Sequence, residues 1–291
     1  MMRIDSHQHF WRYAPPDYRW ISDDMAVLKA DFLPEHLLPT LQRHDMHGTI
    51  LVQACSDIAE TQWLLKLAEQ TEFVRAVTGW VDLASPQLAA QLDTLAHPLL
   101  RGIRHQVQDE PSPTQWLSDA AVSAGVRLIQ QQGYVYEILV THRHLADAAQ
   151  FAARHDRHAL VLDHFGKPDL SQGAAHWAKQ IAPLAALPHV SCKISGLLTE
   201  PRPAGVTLND LLPYFDVVLE AFGSERLMFG SDWPVCLLAG HEANPWTLCE
   251  QATAALSADE QAAIYGGTAC ALYRLQEKRL QETRNESASA K

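Results

Sequence analysis

His7 and His9 are two histidines one residue apart, and with Asp5, Ser6 and Gln8 they close the first short apolar run of the chain. Residues i and i+2 on a strand share a face, so both imidazoles can aim at one point. That arrangement suits a metal ion, or a carbonyl oxygen in need of hydrogen-bond donors. A surface strand carrying two histidines is the plainer alternative. Asp232, in Gly230-Ser231-Asp232-Trp233-Pro234, is a carboxylate at the close of another apolar run. Such a group can act as general base toward water or as a metal ligand, or simply form the turn before Pro234. His105 and His164 also follow apolar runs, as ligands, oxyanion donors or packing residues. Lys193 lies inside one, where an ammonium must find a partner or shift its pKa.

The elements that must position these residues are eight short apolar runs: 3–6, 48–53, 73–81, 100–104, 133–139, 159–162, 190–194 and 226–229. Stretches with helical spacing separate them. Ser85-Pro86 reads as an N-cap with proline at the first helical position, followed by Leu88, Leu92 and Leu95 on one face. Ser257 to Glu260 reads as a capping box. Leu211, Leu212, Phe215, Val218, Leu219 and Phe222 recur at amphipathic spacing. Strands alternating with helices imply parallel pairing, because parallel neighbours need crossovers. Eight such units predict an α/β fold closed into a single-domain (β/α)8 TIM-like barrel. An open doubly wound sheet would place a glycine-rich phosphate loop after its first strand, and His7-Gln8-His9-Phe10-Trp11 holds no glycine. In barrels the chemistry sits where strands end, which is where these polar residues fall. Residues 10–34, rich in aromatics and prolines, are expected as a long loop over the barrel mouth. Residues 1–275 are expected to form the barrel and 276–291 a polar tail.

The length of 291 residues fits one such domain, with 47% hydrophobic and 20% charged residues. A formal charge of −11 disfavours nucleic acid as a partner. No apolar run approaches the roughly 20 residues needed to span a bilayer. Five scattered cysteines form no framework, and the first residues hold no apolar signal segment, so a cytoplasmic protein with reduced thiols is expected. Assembly into an oligomer is left open.

Longer phrases then carry a resemblance. DSHQHFW, DFLPEHLLPTL, VQA, GWVDL, RGIRHQVQDE, LDHFGKP, CKISGLLTE and LMFGSDWPV run almost end to end. With them the chain resembles the metal-optional "amidohydrolase 2" branch of the amidohydrolase superfamily, and within it the sugar-lactone hydrolases of the fuconolactonase and rhamnono-lactonase type. The resemblance implies a distorted barrel and an aspartate on strand eight that activates water, which maps onto Asp232. Classical two-metal members use a carbamylated lysine or glutamate on strand four and a histidine on strand five. Here strand four offers His105, and 133–137 has no histidine; His142 and His144 are expected in the following helix. A single divalent cation, zinc or manganese, on His7, His9 and Asp232 is therefore expected, or no required metal. A second departure, Gly266-Gly267-Thr268-Ala269, replaces an asparagine before alanine and concerns helix entry.

The activity implied is hydrolysis of an aldonolactone to its aldonic acid, with Asp232 as base and His105, His164, Lys193 or a cation steadying the oxyanion. His7 and His9 would form one wall of the substrate pocket. Trp11, Trp80 and Trp233, with Tyr18 and Trp20, would stack on the sugar, and Gln53 and Arg104 would bind hydroxyls. Three rivals stand beside it: a metal-dependent decarboxylase of an aromatic or muconate-type acid, a hydrolase of an aromatic-derived lactone, and a non-catalytic sugar-binding barrel.

Overall fold

The computed structural model describes residues 2–240 and 244–276, so most of the expected polar tail lies outside the described residues. Eight parallel strands follow one another in chain order: β1 (Ile4–Gln8), β2 (Gly48–Val52), β3 (Val74–Gly79), β4 (Leu100–His105), β5 (Val135–Ile138), β6 (Leu160–Leu162), β7 (Val190–Ile194) and β8 (Leu227–Phe229). Almost every strand residue is buried. That is the signature of strands covered on both faces.

The crossovers are α1 (Pro34–Arg43), α2 (Ile58–Glu69), α3 (Leu88–Thr94), α4 (Pro113–Ser118) with α5 (Ala120–Gln131), α6 (Leu145–Ala153), α7 (Ala174–Ala185) and α8 (Leu212–Phe222). After β8 the chain forms α9 (Pro245–Thr253), α10 (Ala258–Ala262) and α11 (Thr268–Leu272). Side chains cap several of them. Asp57 accepts from the Ala59 N–H, Asp119 from Ala121 and Val122, and Asn244 from Trp246 and Thr247. The Ser257–Glu260 capping box forms as expected. Two helix boundaries differ. Helix α3 begins at Leu88 rather than Pro86, because the Ser85 hydroxyl caps a turn by accepting from Gln87 N–H (3.1 Å). His142 and His144 form a short 3-10 turn ahead of α6.

The eight strands nearly close into a barrel. The β1–β8 seam is a single bridge between Gln8 and Trp233, not a ladder. Polar bonds do the rest. The His9 N–H donates to Trp233 O (2.7 Å), Asp232 N–H to His7 O (2.8 Å) and Ser6 Oγ to Phe229 O (2.6 Å), while Asp5 Oδ1 accepts from Ser231 N–H (2.8 Å). Burial pushes the Asp5 carboxyl up to about 6, against these hydrogen bonds. The barrel's distortion is therefore located at this seam.

Within the barrel, Ile4, Ile50, Val52, Ala76, Val135, Val161 and Met228 form an apolar floor, which Ala269 and Tyr273 plug from below. Residues 10–34 do form a long connection, and it has its own core of Trp11, Tyr18, Ile21 and Leu28. Trp11 pairs with Phe32 in an antiparallel bridge, and Trp20 Nε1 donates to Ala54 O (2.9 Å).

Candidate active site

Strand alternation lifts one set of side chains above the apolar floor. Val135, Val161 and Met228 face inward, so Glu137, Asp163 and Gly230, two residues on, face inward one layer higher. Thr78, Arg104 and Lys193 join them. The resulting layer is polar throughout. Lys193 Nζ donates to Glu137 Oε2, lies 3.3 Å from Asp163 Oδ1 and donates to His7 Nδ1 (3.1 Å). Arg104 Nη1 donates to Asp163 Oδ2 (3.1 Å), and Nη2 to the Gln53 carbonyl. Glu137 Oε1 accepts from Thr78 Oγ1 (2.6 Å) and from Tyr273 OH (2.7 Å), which enters from the floor. Burial opposes ionisation of Asp163, yet Lys193, His7 and Arg104 outweigh it and hold the carboxyl well below its usual range.

Above this layer sit the four residues of the candidate centre. A register shift between Asp5 and Gln8 lets His7 and His9 face inward although Ile4 below them does too. His7 Nε2 and His9 Nε2 are 3.1 Å apart, and Asp232 Oδ1 lies 3.8 and 3.4 Å from them. His164 is tilted against His7, ring centroids 4.4 Å apart, and its Nδ1 bonds Ser195 Oγ (2.9 Å). Burial, then Lys193, drives His7 well below its ordinary pKa, and burial lowers His164 to about 4. Both are neutral at pH 7. Burial would raise Asp232, but the attraction of His164 when it is protonated, the contact with His9 and the Lys167 charge outweigh it and hold the carboxyl below its ordinary range. Asp232 also adopts φ +58, the left-handed region that aspartate enters more readily than most L-residues.

Three candidate ligand atoms, His7 Nε2, His9 Nε2 and an Asp232 oxygen, lie within 4.8 Å of one another. His9 is prepared as a ligand: Nδ1 meets Val52 O at 2.8 Å, which leaves Nε2 with its lone pair facing inward. In His7 both ring nitrogens face cationic donors, Lys193 Nζ at Nδ1 (3.1 Å) and Arg104 Nη1 at Nε2 (3.2 Å), while Asp163 Oδ1, 3.6 Å from Nδ1 and without a hydrogen-bond partner, stands ready to accept from Nδ1. The donor set fits a tetrahedral zinc, whose ligand distances are about 2.0–2.2 Å.

The structure does not bring every sequence candidate here. His105 follows inward-facing Arg104 and so lies on the outer face of β4. There it stacks on Trp116 (4.6 Å), bonds Glu110 through Nε2 (2.7 Å) and accepts from Trp80 Nε1 through Nδ1 (2.9 Å). Both ring nitrogens are occupied. Trp80 is half-buried beside it. Trp11 is fully buried and spends its N–H on Ala30 O (2.9 Å). Trp233 packs its ring between Phe10 and Phe32. Gln53 and Arg104 are buried together beneath His7. Lys193 is fully buried among its partners. Glu137, Asp163 and Ser195 were not singled out as site residues, although Glu137, a charge inside an apolar run, carried the same signal as Lys193.

A barrel with this histidine–aspartate centre belongs to a known class. The chain matches the amidohydrolase family over residues 4–275, and it is a member of that family. It is 46% identical over 287 residues to the L-fucono-1,5-lactonase of Burkholderia multivorans, covering 95% of this chain and 97% of that one. It is 39% identical to the L-fucono-1,5-lactonase of Burkholderia ambifaria, covering 94% and 96%. A crystal structure of an amidohydrolase from Burkholderia multivorans with bound zinc superimposes with a TM-score of 0.91 at 45% identity, covering 95% of this chain and all of that one.

Proposed function

We propose that this protein is a lactonase, a hydrolase of the carboxylic ester bond in sugar-acid lactones of the L-fucono-1,5-lactone type. The observation that carries this reading is the 46% identity over nearly the whole chain to an L-fucono-1,5-lactonase, joined to a buried centre of one ionised carboxylate facing neutral imidazoles. Asp232 takes a proton from water as the water oxygen attacks the lactone carbonyl. Charge develops on the carbonyl oxygen. His164 faces it as a neutral imidazole whose Nδ1 is held by Ser195; with the Ser195 hydroxyl donating, His164 Nε2 carries the N–H. A preorganised donor of this kind contributes roughly 3–4 kcal/mol. Collapse breaks the bond to the ring oxygen, and the proton on Asp232 passes to that oxygen, giving the hydroxy acid. His105 faces away from this centre, and Lys193 and Arg104 act on it through His7 and Asp163.

His7, His9 and Asp232 would hold one zinc ion, a reading supported by their fit and by the zinc in the Burkholderia multivorans structure. Bound there, zinc would polarise the carbonyl and lower the pKa of water. Cys55, Cys192, Cys236 and Cys249 are free thiols, which supports a reducing, cytoplasmic setting. The test is a pH-indicator assay of purified protein against aldonolactones, with and without chelator. Acid release from L-fucono-1,5-lactone or a close epimer is expected. Gas release from an aromatic acid with no lactone turnover would transfer the site to decarboxylation.

A further inference from the structure

The turn that carries His164 leaves a second charged side chain unexplained. His164, Phe165, Gly166 and Lys167 have φ of +53, +56, +68 and +49, four consecutive residues in the left-handed region. For non-glycine residues each such position costs about 1 kcal/mol or more, so the surroundings must enforce the turn. Two tight hydrogen bonds close it, Gly166 N–H to Asp163 O (2.8 Å) and Lys167 N–H to His164 O (2.7 Å). With about three residues per turn, side chains three apart are carried to the same side. Lys167 therefore accompanies His164, which faces Asp232.

Electrostatics agree. The Lys167 charge acts on Asp232, on His164 and on Glu200, three groups brought by three different strand ends. Yet the Lys167 ammonium has no hydrogen bond or ion pair among the described residues, and it is half-buried. Glu200, just beyond β7, is half-buried as well and equally without a side-chain partner among the described residues. A cation and a carboxylate within electrostatic reach of the catalytic carboxylate and of each other, but without a bond between them among the described residues, are complementary to a ligand carrying both acceptors and hydroxyl donors.

Building on the lactonase reading, we propose that Lys167 and Glu200 are the substrate-binding pair of this site. Lys167 binds the oxygens of the lactone group that become the product carboxylate, and Glu200 accepts from a hydroxyl of the sugar chain. The cation at the substrate is then Lys167 and not Lys193, which is fully engaged below.

The test compares the wild-type protein with Lys167→Met, Lys167→Asn and Glu200→Gln. Asparagine is the control for folding, because it tolerates the left-handed backbone. Lys167→Met and Lys167→Asn are expected to lower kcat/KM for the aldonolactone about tenfold or more, with KM rising and kcat falling together, because the oxygens that Lys167 binds gain charge in the transition state and its charge also acts on Asp232. Binding of the free aldonate, followed by calorimetry, should weaken by a similar factor. Lys167→Arg should restore most of both. Glu200→Gln should change the ratio of kcat/KM between hydroxyl epimers and change aldonate affinity in the same epimer-dependent way, since the aldonate keeps the same chain hydroxyls. Folded Lys167 variants with wild-type kcat/KM and wild-type aldonate affinity overturn the proposal. Wild-type protein that hydrolyses no lactone overturns the lactonase reading instead, and aldonate binding that still depends on Lys167 would leave the pair standing.

Discussion

At the scale of single residues, the site rests on charges placed where water is scarce. Lys193 and Glu137 illustrate the stakes, since both are fully buried and each holds the other. Removing one member of such a pair leaves a buried charge uncompensated, which costs about 3–5 kcal/mol. Glu137→Gln is accordingly expected to lower the unfolding free energy by that amount in urea titration; a loss under 1 kcal/mol would show that Asp163 alone satisfies Lys193. Gly196 makes a steric case. A Cβ there would fall 2.7 Å from His164 Nδ1, at φ +69. Gly196→Ala should therefore cut kcat at least tenfold by displacing His164, and unchanged kinetics would separate the His164–Ser195 contact from turnover. His7, His9, His164 and Asp232 were legible in the sequence as polar residues closing apolar runs. His105 was misleading for a definite reason: it obeys the same rule, but one residue past inward-facing Arg104 it belongs to the opposite face. The role of Lys167 was illegible, because the left-handed turn that aims it leaves no mark in the residue types His-Phe-Gly-Lys.

At the scale of elements, all eight strands were readable from their apolar runs; several ends are trimmed by one or two residues, whereas β1 runs on to Gln8 and β4 to His105. The long 10–34 connection was visible as a loop but not its attachment. That attachment is Glu60 on α2. Its carboxylate accepts from Ala54 N–H (3.0 Å), Cys55 N–H (2.9 Å) and Tyr18 OH (3.3 Å), tying the loop to the end of β2. Burial pushes Glu60 up to about 7 from the ordinary 4.5, in spite of those donors. An acid with a raised folded-state pKa keeps its proton longer in the folded chain. Its contribution is therefore complete below pH 4.5 and is lost as pH rises to about 7. At about 1.4 kcal/mol per pKa unit this amounts to at most about 3 kcal/mol. Glu60→Gln keeps a carbonyl for the two backbone donors and removes the titration. The stability of the wild type relative to this variant should fall between pH 4.5 and 7, as read from denaturant midpoints at several pH values. A difference that stays constant with pH would contradict the assignment.

For the whole molecule, the barrel class followed from counting alternating elements, whereas the weak β1–β8 seam did not, because seam closure depends on the Asp5 and Ser6 side chains and on backbone bonds of His7, His9 and Ser231–Trp233 rather than on a strand pattern. The same seam carries His7, His9 and Asp232, so a cation bound there would cross-link the two ends of the barrel. Zinc at a hundred times its dissociation constant is expected to stabilise the fold by about 2.7 kcal/mol, seen as a rise in Tm that a chelator reverses. His9→Ala should abolish that rise; an equal rise in the variant would place the ion elsewhere. The central claim is that Asp232, held as a carboxylate inside the barrel below its ordinary pKa, is the base for lactone hydrolysis. Its most direct test is the kcat of Asp232→Asn on an aldonolactone, with circular dichroism to show an intact fold. The account predicts a fall of about 10²–10⁴-fold. A folded variant that retains the wild-type rate would contradict it.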